Sequence, residues 1–336
     1  MTARRRTALA LAGAAVLALP ACGADAGAGD QGGAAAAGGA YPLTLENCGA
    51  EVTLDAPPER VVLLKSAPVT YLHELGVLDR VVARAGAYPR GYYDDATWAE
   101  LQEVPLLTDE LDASGHLQLS PESVLDLEPD LVLGQTDNLD RATLEAVGVP
   151  LLEEPALCPD PPEEPSFAAV EEQLRAYGRV FDREQRAEER VAALRAELEQ
   201  TTASVVDAPE GEARTAAVLY PTVGGGTLYA YGTRSMAHPQ LEAAGFEDAF
   251  ADVDQRVFEV TLEEVIGRDP DVLVLLHSEG EPGPVREALA SLPGADRLTA
   301  VREDRLFTQL FNFTEPPSPL ALEGLQRLVA WDRGAR

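Results

Sequence analysis

The sequence predicts an α/β protein of two lobes built on one plan and joined by a long helix. Three observations carry this. Short apolar runs alternate with helix-like stretches, as where Val61-Val62-Leu63-Leu64 is followed by Val69–Leu75. One helix–Pro–strand unit occurs twice. The first copy is Ser120-Pro121-Glu122-Ser123-Val124-Leu125-Asp126-Leu127-Glu128-Pro129-Asp130-Leu131-Val132-Leu133. The second is Thr261-Leu262-Glu263-Glu264-Val265-Ile266-Gly267-Arg268-Asp269-Pro270-Asp271-Val272-Leu273-Val274-Leu275. Between the copies lies a long amphipathic stretch with no Gly/Ser linker.

Taken in order, the body opens at Tyr41. Leu43-Thr44-Leu45 and Val52-Thr53-Leu54 alternate around Asn47-Cys48-Gly49, which predicts a small hairpin. Pro57-Pro58-Glu59-Arg60 leads into the run from Val61, whose unbroken apolarity suits a parallel strand buried on both faces. A helix near Val69–Leu75, a turn at Gly76 and a strand at Arg80–Ala83 follow. In the repeated units Ser120 and Thr261 are placed as N-caps, and Pro129 and Pro270 stop the helices before an apolar strand. The copies are too far apart for a solenoid period, so they mark two lobes. Ser166–Phe181 reads as one helix and Asp182–Ser204 as a longer one with Asp182 as N-cap. Its apolar stripe is Ala187, Val191, Leu194 and Leu198. The expected boundaries are 41–181 for the first lobe, 182–204 for the joining helix and 205–336 for the second lobe, with little motion between lobes.

The N-terminus adds an address. Arg4-Arg5-Arg6, an apolar run to Leu19 and Leu19-Pro20-Ala21-Cys22 form an export signal over residues 1–21, too short and Ala/Gly-rich for a comfortable membrane span. The segment before Cys22 resembles the bacterial lipobox, which implies cleavage before Cys22 and its acylation, leaving the protein on the outer face of the cytoplasmic membrane. The triple Arg is compatible with twin-arginine export as well as the general route. Residues 22–40 are Gly, Ala, Asp and Gln without periodicity and read as a tether.

The formal net charge is −31, and loss of Arg4–Arg6 makes the mature chain more acidic still. Such a surface repels nucleic acid and excludes it as a partner. Lys65 is the only lysine among mostly Arg cations. With Cys22 committed to lipid, Cys48 and Cys158 remain, an even pair that suggests a disulfide in an oxidising compartment. Closing so long a loop contributes roughly 4–5 kcal/mol in the chain-entropy model.

On Pro58-Glu59-Arg60-Val61-Val62, Leu75-Gly76-Val77-Leu78-Asp79-Arg80-Val81-Val82, both repeated units, the lipobox and the long mid-chain helix, the chain resembles the substrate-binding lipoproteins of bacterial ABC importers. The group is the one serving iron–siderophore complexes and cobalamin, the class III periplasmic binding proteins. The resemblance spans Leu43 to about Trp331. It implies two Rossmann-like lobes joined by a single long rigid helix, with ligand in the cleft between them. It implies no enzyme activity, no cofactor, no metal beyond one inside the chelate, a monomer, and delivery to a permease with its ATPase. It also implies that one glutamate on each lobe meets permease arginines; the matching positions are Glu122 and Glu263.

Ligand contacts in an α/β lobe lie on loops at the carboxyl ends of strands. These loops supply Lys65, then Tyr88, Arg90 and Tyr92, then Gln135. The second lobe supplies Tyr231, Arg234 and Ser235, with Phe311 and Asn312 closing the set. His116 and Arg234 are added by their family positions. Pro317-Ser318-Pro319 is expected to cap and start the last helix. A ferric siderophore is preferred because anionic or hydroxylated chelates suit Lys65, Arg90, Arg234 and the tyrosines. Corrinoid or haem binding in the same fold is the alternative. A direct zinc or manganese carrier needs converging ligands that only His73, His116, His238 and His277 could start. A secreted hydrolase would want Gly-x-Ser-x-Gly or His-Glu-x-x-His, and neither occurs. A lipid-anchored scaffold is the remaining class.

Overall fold

A computed structural model describes residues 41–110, 117–160, 164–205, 214–278 and 280–335. The signal segment, Cys22, the tether and His116 lie outside them. The described chain begins with the expected hairpin, β1 (Leu43–Asn47) antiparallel to β2 (Ala50–Leu54), with Asn47 opposite Ala50. Its turn residues Cys48 and Gly49 have φ of 52° and 74°. Two left-handed residues match the twist of a two-residue hairpin.

Four strands form the first sheet in the order β4-β3-β5-β6, all parallel: β3 (Val61–Leu63), β4 (Val81–Arg84), β5 (Leu131–Leu133) and β6 (Leu151–Leu152). Every residue of β3, β5 and β6 is buried, which is why these strands read as unbroken apolar runs. Helices α1 (Pro68–Leu75), α2 (Asp95–Gln102), α3 (Pro121–Leu125) and α4 (Arg141–Glu145) connect the strands. Gly76 closes α1 in the left-handed conformation. Asp94 and Asp140 cap α2 and α4 through their carboxylates.

Two long helices follow, α5 (Phe167–Val180) and α6 (Glu184–Thr202). Ser166 caps α5 by accepting from the Ala169 amide at 3.1 Å. Asp182, expected as the N-cap of α6, instead sits at the corner with φ 56°, and Arg183 occupies the cap position without a side-chain capping bond. Ala187, Val191 and Leu194 are buried as the stripe requires. The face packs against α5, α1 and the last helix.

The second sheet has the order β10-β8-β7-β11-β12, with β9 pairing β7. Its members are β7 (Thr215–Pro221), β8 (Leu228–Tyr231), β9 (Glu247–Asp248), β10 (Val257–Glu259), β11 (Val272–His277) and β12 (Leu306–Leu310). The strands β7, β11 and β12 run parallel, while β8 is antiparallel to both β7 and β10. Helices α7 (Ala237–Ala243), α8 (Leu262–Arg268), α9 (Gly283–Ala290), α10 (Thr299–Arg302) and α11 (Pro319–Ala335) cover it. One apolar cluster runs from the hairpin through the first sheet, α5 and α6 to the second sheet and α11. Smaller clusters fill the far face of each sheet.

In the repeated units Thr261 caps α8 as expected, accepting from the Glu264 amide at 3.2 Å. Ser120 holds the N-cap position of α3 but its hydroxyl donates to the Glu122 carboxylate at 2.5 Å instead. Pro319 opens α11.

Candidate ligand-binding cleft

The carboxyl ends of β3, β5 and β6 carry Lys65, Gln135 and the pair Glu153-Glu154. Those of β7, β11 and β12 carry Tyr220, His277 and Phe311. Three cavities converge on a single 3₁₀ turn, Pro155–Leu157, that follows β6. A cavity of about 300 Å³ lies between Glu154–Ala156, α5 and the second lobe's Arg234 and Pro317. Another of about 400 Å³ lies between Ala156–Asp160 and the pair Arg234 and Arg256. A third of about 640 Å³ holds Lys65, Gln135, Glu153 and Leu157. Volumes of this order suit a small-molecule ligand.

Lys65 is half-buried at the rim of the third cavity, beside Glu153. Its stem lies over Gly134, where a Cβ would come within 2.4 Å of the lysine Cγ. With φ at 87° that position suits glycine on both counts. The Glu153 carboxylate accepts from the amides of Glu154 at 2.8 Å and Gln135 at 3.2 Å. Burial pushes its pKa up, against those amides and the Lys65 charge. Glu154 is 2% exposed and accepts from the Tyr177 hydroxyl at 3.0 Å. Burial, then the neighbouring Glu153 charge, push it up to about 8. The first cavity thus has a floor carboxyl that keeps its proton near neutral pH.

Arg234 is 45% exposed and pairs with Asp254 through one nitrogen at 2.8 Å, on the wall shared by two cavities. Gly232 makes this wall possible, since a Cβ there would meet the Val253 carbonyl at 2.3 Å. Beside it, Arg256 donates to Glu315 at 2.9 Å. Glu315 is fully buried and also accepts from the Met236 amide; burial raises its pKa while Arg256 opposes the rise. Phe311 is half-buried against Tyr220 and Tyr231, and the Tyr220 hydroxyl meets Ser278 at 2.6 Å.

Several expected contacts face elsewhere. Tyr88 is buried, with its hydroxyl shared among the carbonyls of Leu63, Lys65 and Ala85. Arg90 is engaged by Asp95 and the Tyr93 carbonyl and lies over the Trp98 ring. Ser235 is buried and accepts from the Ala237 amide. Tyr231 is 3% exposed, beneath Phe311. Tyr92 and Asn312 form a strut between the lobes. The Asn312 amide donates to the Tyr92 hydroxyl at 3.1 Å, and its side chain donates to Ser66 at 2.9 Å. Tyr88 and Tyr92 bury their rings and satisfy their hydroxyls within the protein, while Arg90 is held by its own loop neighbours. Lys65, Gln135 and Arg234 remain on cavity walls, and Phe311 stands half-buried at the carboxyl end of β12. The sequence reading passed over Glu153, Glu154 and Arg256. The rule that found Gln135 points equally to Glu153, but a two-residue β6 is too short to read as a strand.

Glu122 and Glu263 are both exposed, one on each lobe. Cys48 and Cys158 are disulfide-bonded. His73 pairs with Glu100 and His238 with Asp248, in different lobes. Among the described residues no helix is long and apolar enough to cross a membrane.

Comparison with known proteins places this geometry. A crystal structure described as an ABC-type Fe3+-hydroxamate transport system from Saccharomonospora viridis is 56% identical over 86% of this chain and 98% of its own, with a TM-score of 0.80. A cobalamin-binding protein of Halobacterium salinarum is 27% identical over 86% of this chain and 73% of its own length. The uncharacterized ABC transporter substrate-binding lipoprotein YvrC of Bacillus subtilis is 22% identical over 86% of this chain and 85% of its own length. The periplasmic binding protein family model matches residues 61–309, from the first buried strand to the last, and the chain belongs to that family of ABC-importer binding proteins.

Proposed function

We propose that the protein captures a ferric hydroxamate chelate outside the cytoplasmic membrane and delivers it to an ABC permease. The observation that carries this is the 56% identity, over nearly its whole length, to the chain described as part of an Fe3+-hydroxamate transport system. The cleft chemistry supports the same class. Around the three cavities Glu46, Asp137, Asp140, Glu153, Asp160, Glu164 and Glu172 outnumber Lys65, Arg179, Arg234 and Arg256, with Glu154 left out because it keeps its proton. Three singly charged hydroxamates neutralise ferric iron, whereas three doubly charged catecholates leave a large negative charge that such walls disfavour. The preference for anionic or hydroxylated chelates drawn from Lys65, Arg90, Arg234 and the tyrosines narrows accordingly, because Tyr88, Arg90 and Tyr92 are engaged within the protein.

Iron enters only inside the chelate in this reading, and the chain performs no chemistry on it. Arg234 and Lys65 donate to chelate oxygens, Phe311 packs on its apolar arms, and Glu154 in its neutral form offers a hydrogen bond. Cys22 carries the lipid that holds the monomer at the membrane, and Glu122 and Glu263 dock on the permease as two spaced charges.

The test is quenching of intrinsic Tyr and Trp fluorescence by ferric hydroxamates, ferric catecholates, haem and cobalamin in parallel. Saturable quenching by the hydroxamate class, weakened at least tenfold in Arg234→Ala, is expected. Saturation by cobalamin or haem alone overturns the ligand and keeps the family role. Silence toward all of them overturns chelate capture.

A further inference from the structure

All three cavities share one structural debt: the turn Pro155–Leu157 and its flanks line each of them. Its own bonds are few, with the Leu157 amide donating to Glu154 at 2.8 Å and the Cys158 amide to Pro155 at 3.2 Å. What fixes it in space is the tip of the N-terminal hairpin. Asn47 is buried, and its side chain pairs with Glu153 as another strand would. The Asn47 amide nitrogen donates to the Glu153 carbonyl at 2.8 Å, and the Asn47 oxygen accepts from the Glu153 amide at 2.9 Å. Arg141 fastens the same oxygen at 2.6 Å and the Leu151 carbonyl at 2.8 Å. One residue further on, Cys48 is bonded to Cys158, just past the turn. The turn is thus gripped on both sides, by hydrogen bonds before it and a covalent bond after it. Glu46, from the same hairpin, reaches the wall of the first cavity.

We infer that the hairpin tip Asn47-Cys48 is a positioning element for the cleft: by clasping the turn Pro155–Leu157 it sets the shape of the ligand site and the lifetime of the bound chelate. This rests on the function proposed above and goes beyond it, since Asn47 and Cys48 line none of the three cavities and Cys158 lines only the second. A disulfide that only stabilised the chain could close any long loop. This one ends beside the turn where three cavities meet. Holding a site in its bound form improves affinity chiefly through slower release.

The test uses the full chain in detergent, oxidised, reduced with a phosphine and reoxidised, together with Cys48→Ser/Cys158→Ser and Asn47→Ala. Ferrioxamine B is the probe, with haem and cobalamin beside it, and amide hydrogen exchange over residues 153–158 is read in parallel. Measurements are made well below the unfolding temperature, with near-ultraviolet circular dichroism verifying that each form is folded. Reduction and both variants are expected to raise the dissociation rate at least tenfold and to speed exchange over 153–158; reoxidation restores both in the wild-type chain. Equal dissociation rates in the oxidised and reduced folded forms overturn the clasp. If the oxidised chain binds none of the probes, the functional proposal falls by itself. Exchange then decides the clasp alone, and unchanged protection of 153–158 on reduction overturns it.

Discussion

The two repeated units are built alike and finished differently. Each carries a non-glycine residue in the left-handed conformation just before the proline, Glu128 with φ 48° shortly after α3 and Asp269 with φ 41° as the C-cap of α8. A residue before proline is sterically disfavoured in the right-handed helical region, so neither helix can run past it. Each then uses the aspartate after the proline to tie down the neighbouring strand. Asp130 accepts from the Glu59 and Arg60 amides ahead of β3, and Asp271 accepts from the Thr215 amide at the start of β7. The likeness ends at the cleft. The first lobe holds its edge with a disulfide and a pseudo-strand made by Asn47, whereas the second holds its edge with an ion pair between partly exposed Arg256 and buried Glu315. One plan sets the sheets; separate devices set the walls.

The largest effect expected from breaking the second device is in Arg256→Ala. It leaves Glu315 buried with only amide and hydroxyl donors, at a cost of about 3 kcal/mol near neutral pH. Burial already raises the Glu315 pKa, and loss of the arginine raises it further. A carboxyl that keeps its proton longer in the folded chain than in the unfolded one loses stability as pH rises through its folded value. The cost should therefore shrink in acid, which urea unfolding at pH 5 and pH 8 would reveal. A cost independent of pH would mean that Glu315 is not a held charge, and the contrast between the lobes would lose one side.

Glu154 sharpens the comparison from the first lobe. Its folded value of about 8 lies above the ordinary carboxyl value of 4.5. The native chain holds a proton that the unfolded chain releases, so the contribution is fully present below about pH 4.5 and is lost as pH rises through 8. Glu154→Gln removes that slope. The variant should match the wild type in acid and exceed its stability at pH 8.5 by on the order of 4–5 kcal/mol. Thermal melts across this range check it. A wild-type slope that persists in the variant would move the buried proton to Glu153 or another site.

Much of the architecture was legible because it rests on patterns that burial imposes. The runs at 61–64, 131–133 and 272–275 are apolar because both faces are covered, and the hairpin alternates because one face is not. The cleft loops followed from the strand ends. Which way a side chain turns within a loop did not follow. Tyr88, Tyr92 and Arg90 stand where a ligand residue could stand, and each is satisfied within the protein, Tyr88 by the Leu63 carbonyl and Tyr92 by the Asn312 amide, both distant in sequence, and Arg90 by its loop neighbour Asp95. Glu153 and Glu154 failed in the other direction. Two acids before a proline look like a solvated turn, and only the Asn47 and Tyr177 side chains, remote in the chain, make them a buried floor.

The smallest effects test the repeat itself. Thr261 and Ser120 occupy the same place, yet only Thr261 caps its helix; Ser120 spends its hydroxyl on Glu122, whose carboxyl is thereby held below the usual range. Thr261→Ala should cost about 1 kcal/mol, the usual loss of an N-cap, and Ser120→Ala no more than about 0.5 kcal/mol. The serine variant should instead let the Glu122 pKa rise toward its ordinary value, which carboxyl carbon shifts followed through a pH titration would report. It should also leave that side chain free to rotate, so permease docking weakens without loss of stability. Equal stability losses in the two variants would make the units equivalent after all, and Ser120 a cap like its counterpart. Unequal losses with a moved Glu122 titration would show that the first lobe has given up a helix cap to hold its outward carboxylate in one orientation.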